Sequence, residues 1–176
     1  MPFAKRLLQL DLEYSRWATQ RVLAACDGLT FAELARDQAG SHRSILATLN
    51  HYFISERFWT ECLVANALPP LGEIGVAEIY MPQEEHLGAM QRDWTGVWRA
   101  QMEWFEPLSE EDLEGDLTTS LPGRPPIHLA RWQILRHMVN HSSLHRGQAV
   151  SMIRAVGKQP PNVDLMGYYI DVASRS

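Results

Sequence analysis

Apolar residues recur at helical spacing along most of the chain, and the strict alternation of a strand is hard to find. Over residues 3–26 the row is Leu7, Leu10, Tyr14, Trp17 and Ala18, which predicts a first helix stopped by Gly28. Thr30 with Glu33 three residues on matches a capping box and predicts a short helical turn in "LTFAELARD". Ser41 is the expected cap of a second long helix over 42–66, whose apolar stripe is Ile45, Leu49, Tyr52, Trp59 and Leu63. "LPPLGEIG" then breaks the chain. A third long helix is expected over 82–106, with Leu87, Met90, Trp94, Val97, Trp98, Gln101 and Phe105 facing inward. The turn-rich segment 107–126 has room for one extended piece at "DLTTSL". A fourth long helix is expected over 127–157, closed by Gly157, with a loop and a terminal helical turn in "KQPPNVDLMGYYID".

Four long helices without a strand pattern predict an all-α fold, an up-and-down four-helix bundle, in a single domain over 1–176. The apolar share of 45% and charged share of 21% are those of an ordinary globular chain. A net charge of −5 argues against non-specific nucleic-acid binding, which needs a basic footprint. Cys26 and Cys62 form no CxxC motif, so a reducing, cytoplasmic setting is expected. The N-terminal stretch has no long apolar run, so neither a signal peptide nor a membrane span is expected. The six tryptophans are expected to fill helix interfaces.

The chemistry lies in "RHMVNHSSLHRGQAV", residues 136–150. With Ile134 set at zero on a wheel of about 100° per residue, His141 falls near −20° and His145 near +20°. They share the centre of the stripe formed by Ile134, Met138, Ala149, Met152 and Val156. His137 falls roughly at −60°, the stripe's edge. Two imidazoles on one buried face, one turn apart, need partners for their nitrogens. They can share a metal ion, or each can bond to a core carbonyl or carboxylate. "HSSLH" has no glutamate between its histidines, unlike a zinc protease. A metal would need a third ligand, and His51 is the candidate, on a polar flank of the second helix with Ser44, Thr48, Ser55 and Cys62. Glu56 sits at an apolar position of the same helix. It is read either as paired with an arginine or reaching the rim, or as an acceptor for a ligand histidine or a base. Three histidines suit zinc, nickel, iron or copper and leave a position for water. His42, His86 and His128 are read as surface residues, and Cys62 as a small buried side chain. Arg146 is expected to pair across an interface, and Gly147 to permit a close helix approach.

"SILATLNHYFISERFW", "YSRWATQRVLAACDGLTFAEL" and "HMVNHSSLHRGQAVSMIRAVGKQPPNVDLMGYY" together resemble the DinB/YfiT-like family, over nearly the whole chain. "NHxxxHRGQ" is the most specific element. The resemblance implies a four-helix bundle, a homodimer, and a divalent metal, zinc or nickel foremost, held by His51, His141 and His145. The resemblance leaves His137 out; from its place at the stripe's edge it reads as a rim histidine or as a group supporting the ligands, and Glu56 keeps the two readings given above. The resemblance also implies a small-molecule substrate. Some relatives use a low-molecular-weight thiol in transferase or isomerase reactions, and a metal-dependent hydrolase is the related reading. The alternatives are a non-catalytic metal-binding bundle dimer, or histidines that form only a core hydrogen-bond network.

Overall fold

Helix dominates, and most helix ends have a chemical cause. A computed structural model describes residues 3–68, 86–120 and 123–174. The order is α1 (Phe3–Cys26), α2 (Phe31–Ala35), α3 (Ile45–Ala65), α4 (His86–Phe105), α5 (Glu110–Glu114), β1 (Asp116–Thr119), β2 (Ile127–Ala130), α6 (Arg131–Ala155) and α7 (Leu165–Ala173). α6 packs on α1 and α3, and α3 packs on α4. The break at "LPPLGEIG" and the start of the third helix fall largely outside the described residues. No helix among the described residues is long and apolar enough to cross a membrane.

Thr30 and Glu33 form the expected capping box at α2. The second long helix begins later than expected. Arg43 is left-handed (φ 63°), so no helix runs through it. Ser44, not Ser41, accepts from the Ala47 N–H at 3.1 Å. The fourth long helix also begins later. Residues 127–130 are a strand, antiparallel to β1, with Asp116 opposite Ala130 and Thr119 opposite Ile127. Gly157 closes α6 in the left-handed region (φ 82°), its N–H donating to the Arg154 carbonyl at 2.9 Å.

The buried apolar residues form two clusters. One joins Val22, Leu49, Tyr52, Trp94 and Ala149; the other joins Leu12, Leu63, Phe105, Ile134 and Met138. Along each long helix the stretch between the clusters carries buried polar residues: Ser15 and Thr19, Glu56 and Thr60, Gln101, Ser142 and Arg146. This corrects the expected face of α1. Leu7 is 43% exposed, while Ser15 and Thr19 point inward. They do so because Arg146, 1% exposed, needs acceptors: its Nη1 donates to Ser15 Oγ at 2.9 Å and Thr19 Oγ1 at 3.3 Å. Tyr14 and Trp17 instead meet Tyr168 of α7, with ring centroids 6.0 and 5.7 Å away.

Candidate metal centre

α3 and α6 bring His51, His141 and His145 together. His141 Nε2 lies 3.3 Å from His51 Nε2 and 3.2 Å from His145 Nε2. The His51 and His145 rings are 4.6 Å apart between centroids. His145 is buried, His51 and His141 are half-buried, and His137 is exposed, which is the order the helical wheel gives. His145 Nδ1 lies 2.8 Å from Gln148 Oε1. That amide oxygen accepts the Nδ1–H, so Nε2 keeps its lone pair on the side of the other histidines.

A fourth imidazole joins them. His42 stacks on His51 at 3.9 Å between centroids and meets His145 edge-on at 5.1 Å. One ring nitrogen from each of His42, His51 and His145 lies within 4.8 Å of the others. The loop before α3 fixes this position. The Gln38 N–H donates to the Arg43 carbonyl at 2.6 Å, and Arg43 Nε to Asp37 Oδ2 at 3.0 Å. Gly40 lies so close to α6 that a Cβ there would stand 2.7 Å from Met152 Cε. His42, standing near the expected start of a helix, reads from sequence as a surface residue. The left-handed residues Ala39 and Arg43 fold the loop back, and no helical periodicity announces that.

The cluster disfavours protonation. Burial first, and then the neighbouring His42 and His145, push His51 down to about 4. Burial, followed by His145, His51, His137 and His42, pushes His141 down to about 4. Burial also lowers His42 and His145, the latter against an upward pull from Gln148. Near neutral pH the rings are therefore uncharged, the form that binds a metal ion.

The supporting residues fall elsewhere. His137 packs on Trp59 at 5.3 Å and on His141 at 5.5 Å between centroids. Glu56 is buried, away from the rim; among the described residues it makes no ion-pair contact and no hydrogen bond to a histidine, although Arg146 acts on it electrostatically. Glu56 Oε2 accepts from Trp94 Nε1 at 2.9 Å and its Oε1 from Trp98 Nε1 at 3.2 Å. Arg146 pairs with hydroxyls of α1 inside the chain rather than with a carboxylate. Gly147 faces open space, with nothing within 4 Å of a built Cβ, so no close helix approach explains it here. His128 is exposed, 3.0 Å from Thr118 Oγ1, and Cys62 is buried. The side chain of His86 is outside the described residues. A groove of about 670 Å³ runs along α6 between Gln38 and Leu144, Gln148 and Met152. Gln148 thus borders the groove and bonds His145.

The chain belongs to the DinB family, whose sequence model matches residues 3–171. No curated protein matches it. Family membership and the histidine cluster are compatible with a metal-binding protein.

Proposed function

We propose that this DinB-family chain binds one divalent metal ion through His51, His141 and His145 and uses it on a small-molecule substrate. The observation that carries the reading is the pair of Nε2 spacings at His141, 3.3 and 3.2 Å. Two imidazole nitrogens bound at about 2.0–2.1 Å to one tetrahedral ion stand about 3.3–3.4 Å apart, so both His141 pairs have the spacing of nitrogens that share an ion. Zinc or nickel is the expected metal, with iron or copper accepted by the same donor set. When bound, the ion supplies a Lewis acid that lowers the pKa of a coordinated water or thiol near neutral pH.

The chain's own residues do the rest. Burial keeps the three rings neutral, and Gln148 holds His145 with its proton on Nδ1. The groove beside Gln148 offers apolar walls at Leu144 and Met152, with the Gln38 and Gln148 amides for a polar group. That supports a small, partly apolar substrate and a thiol-dependent transfer, isomerisation or hydrolysis. The reading extends to a homodimer, as the resemblance implies, and to a cytoplasmic setting, as the two free cysteines suggest. Leu144, Met166 and Ile170, 60%, 61% and 62% exposed, supply apolar surface for a partner. Elution of a solution monomer at high concentration would remove the dimer from this reading.

Metal analysis of protein purified without a nickel column tests the core of it. One equivalent of metal is expected, and His141→Ala should weaken binding by about a hundredfold or more, since even outer partners are worth about 10–100-fold. Absence of stoichiometric metal after reconstitution with zinc, nickel and iron would refute the reading. A cobalt-substituted protein whose spectrum responds to no small thiol would remove the thiol branch.

A further inference from the structure

We infer that His42 is a fourth metal-binding imidazole, supplied by the loop before α3, so that the centre gathers four nitrogen donors from three segments of the chain. This deepens the three-histidine reading and rests on it.

His42 is not a member of any helix, yet it is the ring closest to His51, at 3.9 Å, and it also touches His145 at 5.1 Å. A ring nitrogen of His42 falls in one group with those of His51 and His145, all within 4.8 Å. A surface histidine packed only for its apolar face would have no reason to bring a nitrogen there. The loop that carries it is pinned at several points. Asp37 holds Arg43, the Ser44 N–H donates to the His42 carbonyl at 2.8 Å, and Gly40 rests on Met152 of α6. Ala39 and Arg43 are held in the left-handed region without being glycine.

The His42 and His51 rings lie face to face, tilted by 20°. Two rings radiating from one ion, each nitrogen at about 2.0–2.1 Å, would have centroids roughly 4.4–5.3 Å apart. The pairs His51–His141 and His42–His145, both 5.1 Å, and His141–His145, 4.4 Å, already have such spacings. Binding would therefore fan His42 slightly away from His51, a movement that falls on the loop rather than on a helix. Because His42 comes from a loop, it is also the donor that an incoming ligand can replace without disturbing α3 or α6.

Cobalt(II) titration of the purified full chain, with zinc competition, tests this in wild type, His42→Ala, His42→Gln and the remote control His128→Ala. Far-UV circular dichroism checks that each variant is folded. The expected result is that both His42 variants bind cobalt more than about tenfold more weakly than wild type. Their visible band should shift as water replaces nitrogen, and added imidazole should restore it in His42→Ala. His128→Ala should match wild type. Retention of affinity and spectrum in the folded His42 variants would overturn the inference and leave the three-histidine centre standing. Failure of wild type to bind cobalt or zinc would overturn both.

Discussion

Replacing Glu56 by glutamine tests the polar layer that divides the core. The side chain is 5% exposed, and both carboxylate oxygens accept from indoles, Trp94 at 2.9 Å and Trp98 at 3.2 Å. Glutamine has the same shape but a single acceptor oxygen. One indole keeps its partner, and the other faces an amide NH2, so two buried donors meet without an acceptor. An unsatisfied buried donor costs about 1–3 kcal/mol. Against this, burial pushes the Glu56 carboxyl up, opposed by the Trp94 bond, Arg146 and the Trp98 bond, so removing the acid returns part of a desolvation cost. The net expectation for Glu56→Gln is a loss of about 1–3 kcal/mol. At about 2–4 °C per kcal/mol for a chain of this length, the melting temperature should fall by roughly 2–12 °C. Urea unfolding followed by tryptophan fluorescence measures it. Adding Trp98→Phe, which deletes one donor, should recover part of the loss. A Glu56→Gln variant as stable as wild type would refute the reasoning, because desolvation would then outweigh both indole bonds.

Two further outcomes follow from the same structure. Arg146→Ala removes a fully buried cation that bridges α1 and α6 and should cost about 3–5 kcal/mol in urea unfolding; a loss under about 1 kcal/mol would contradict its place in the interior. In metal-free protein, His51 and His141 titrate at about 4 in the folded state against a usual value of 6.5. Between these values the unfolded chain binds more protons, so stability is full above about 6.5 and is lost as pH falls toward about 4. Thermal melts across that window should show the decline, and His141→Asn should flatten it; a melting temperature constant from pH 7 to 5 would oppose the assignment.

Much of this architecture is legible in one dimension. The span of α1, the capping box at Thr30, the inner row of α4 and the closure at Gly157 follow from local spacing and cap chemistry, and the structure keeps them. The wheel on α6 also separates His141 and His145 from His137, because a helix face is a property of sequence alone. Where the reading failed, a distant partner had decided the outcome. Ser15 and Thr19 face inward because Arg146, 131 and 127 residues away, requires oxygen acceptors. Residues 127–130 leave the helix because β1 offers their backbone a ladder. Glu56 sits in an apolar stripe because two indoles of α4 satisfy its oxygens.

The sequence by itself determined which residues could be neutral imidazole donors and which helix faces would carry them. Only the tertiary structure decided how they meet. The packing of α3 on α6 sets the 3.3 Å spacing between His51 and His141. A loop turned by two left-handed residues delivers His42 to the same place. Helical periodicity is a local rule and specifies a face; the distance between two faces depends on how the side chains of both helices fill the space between them.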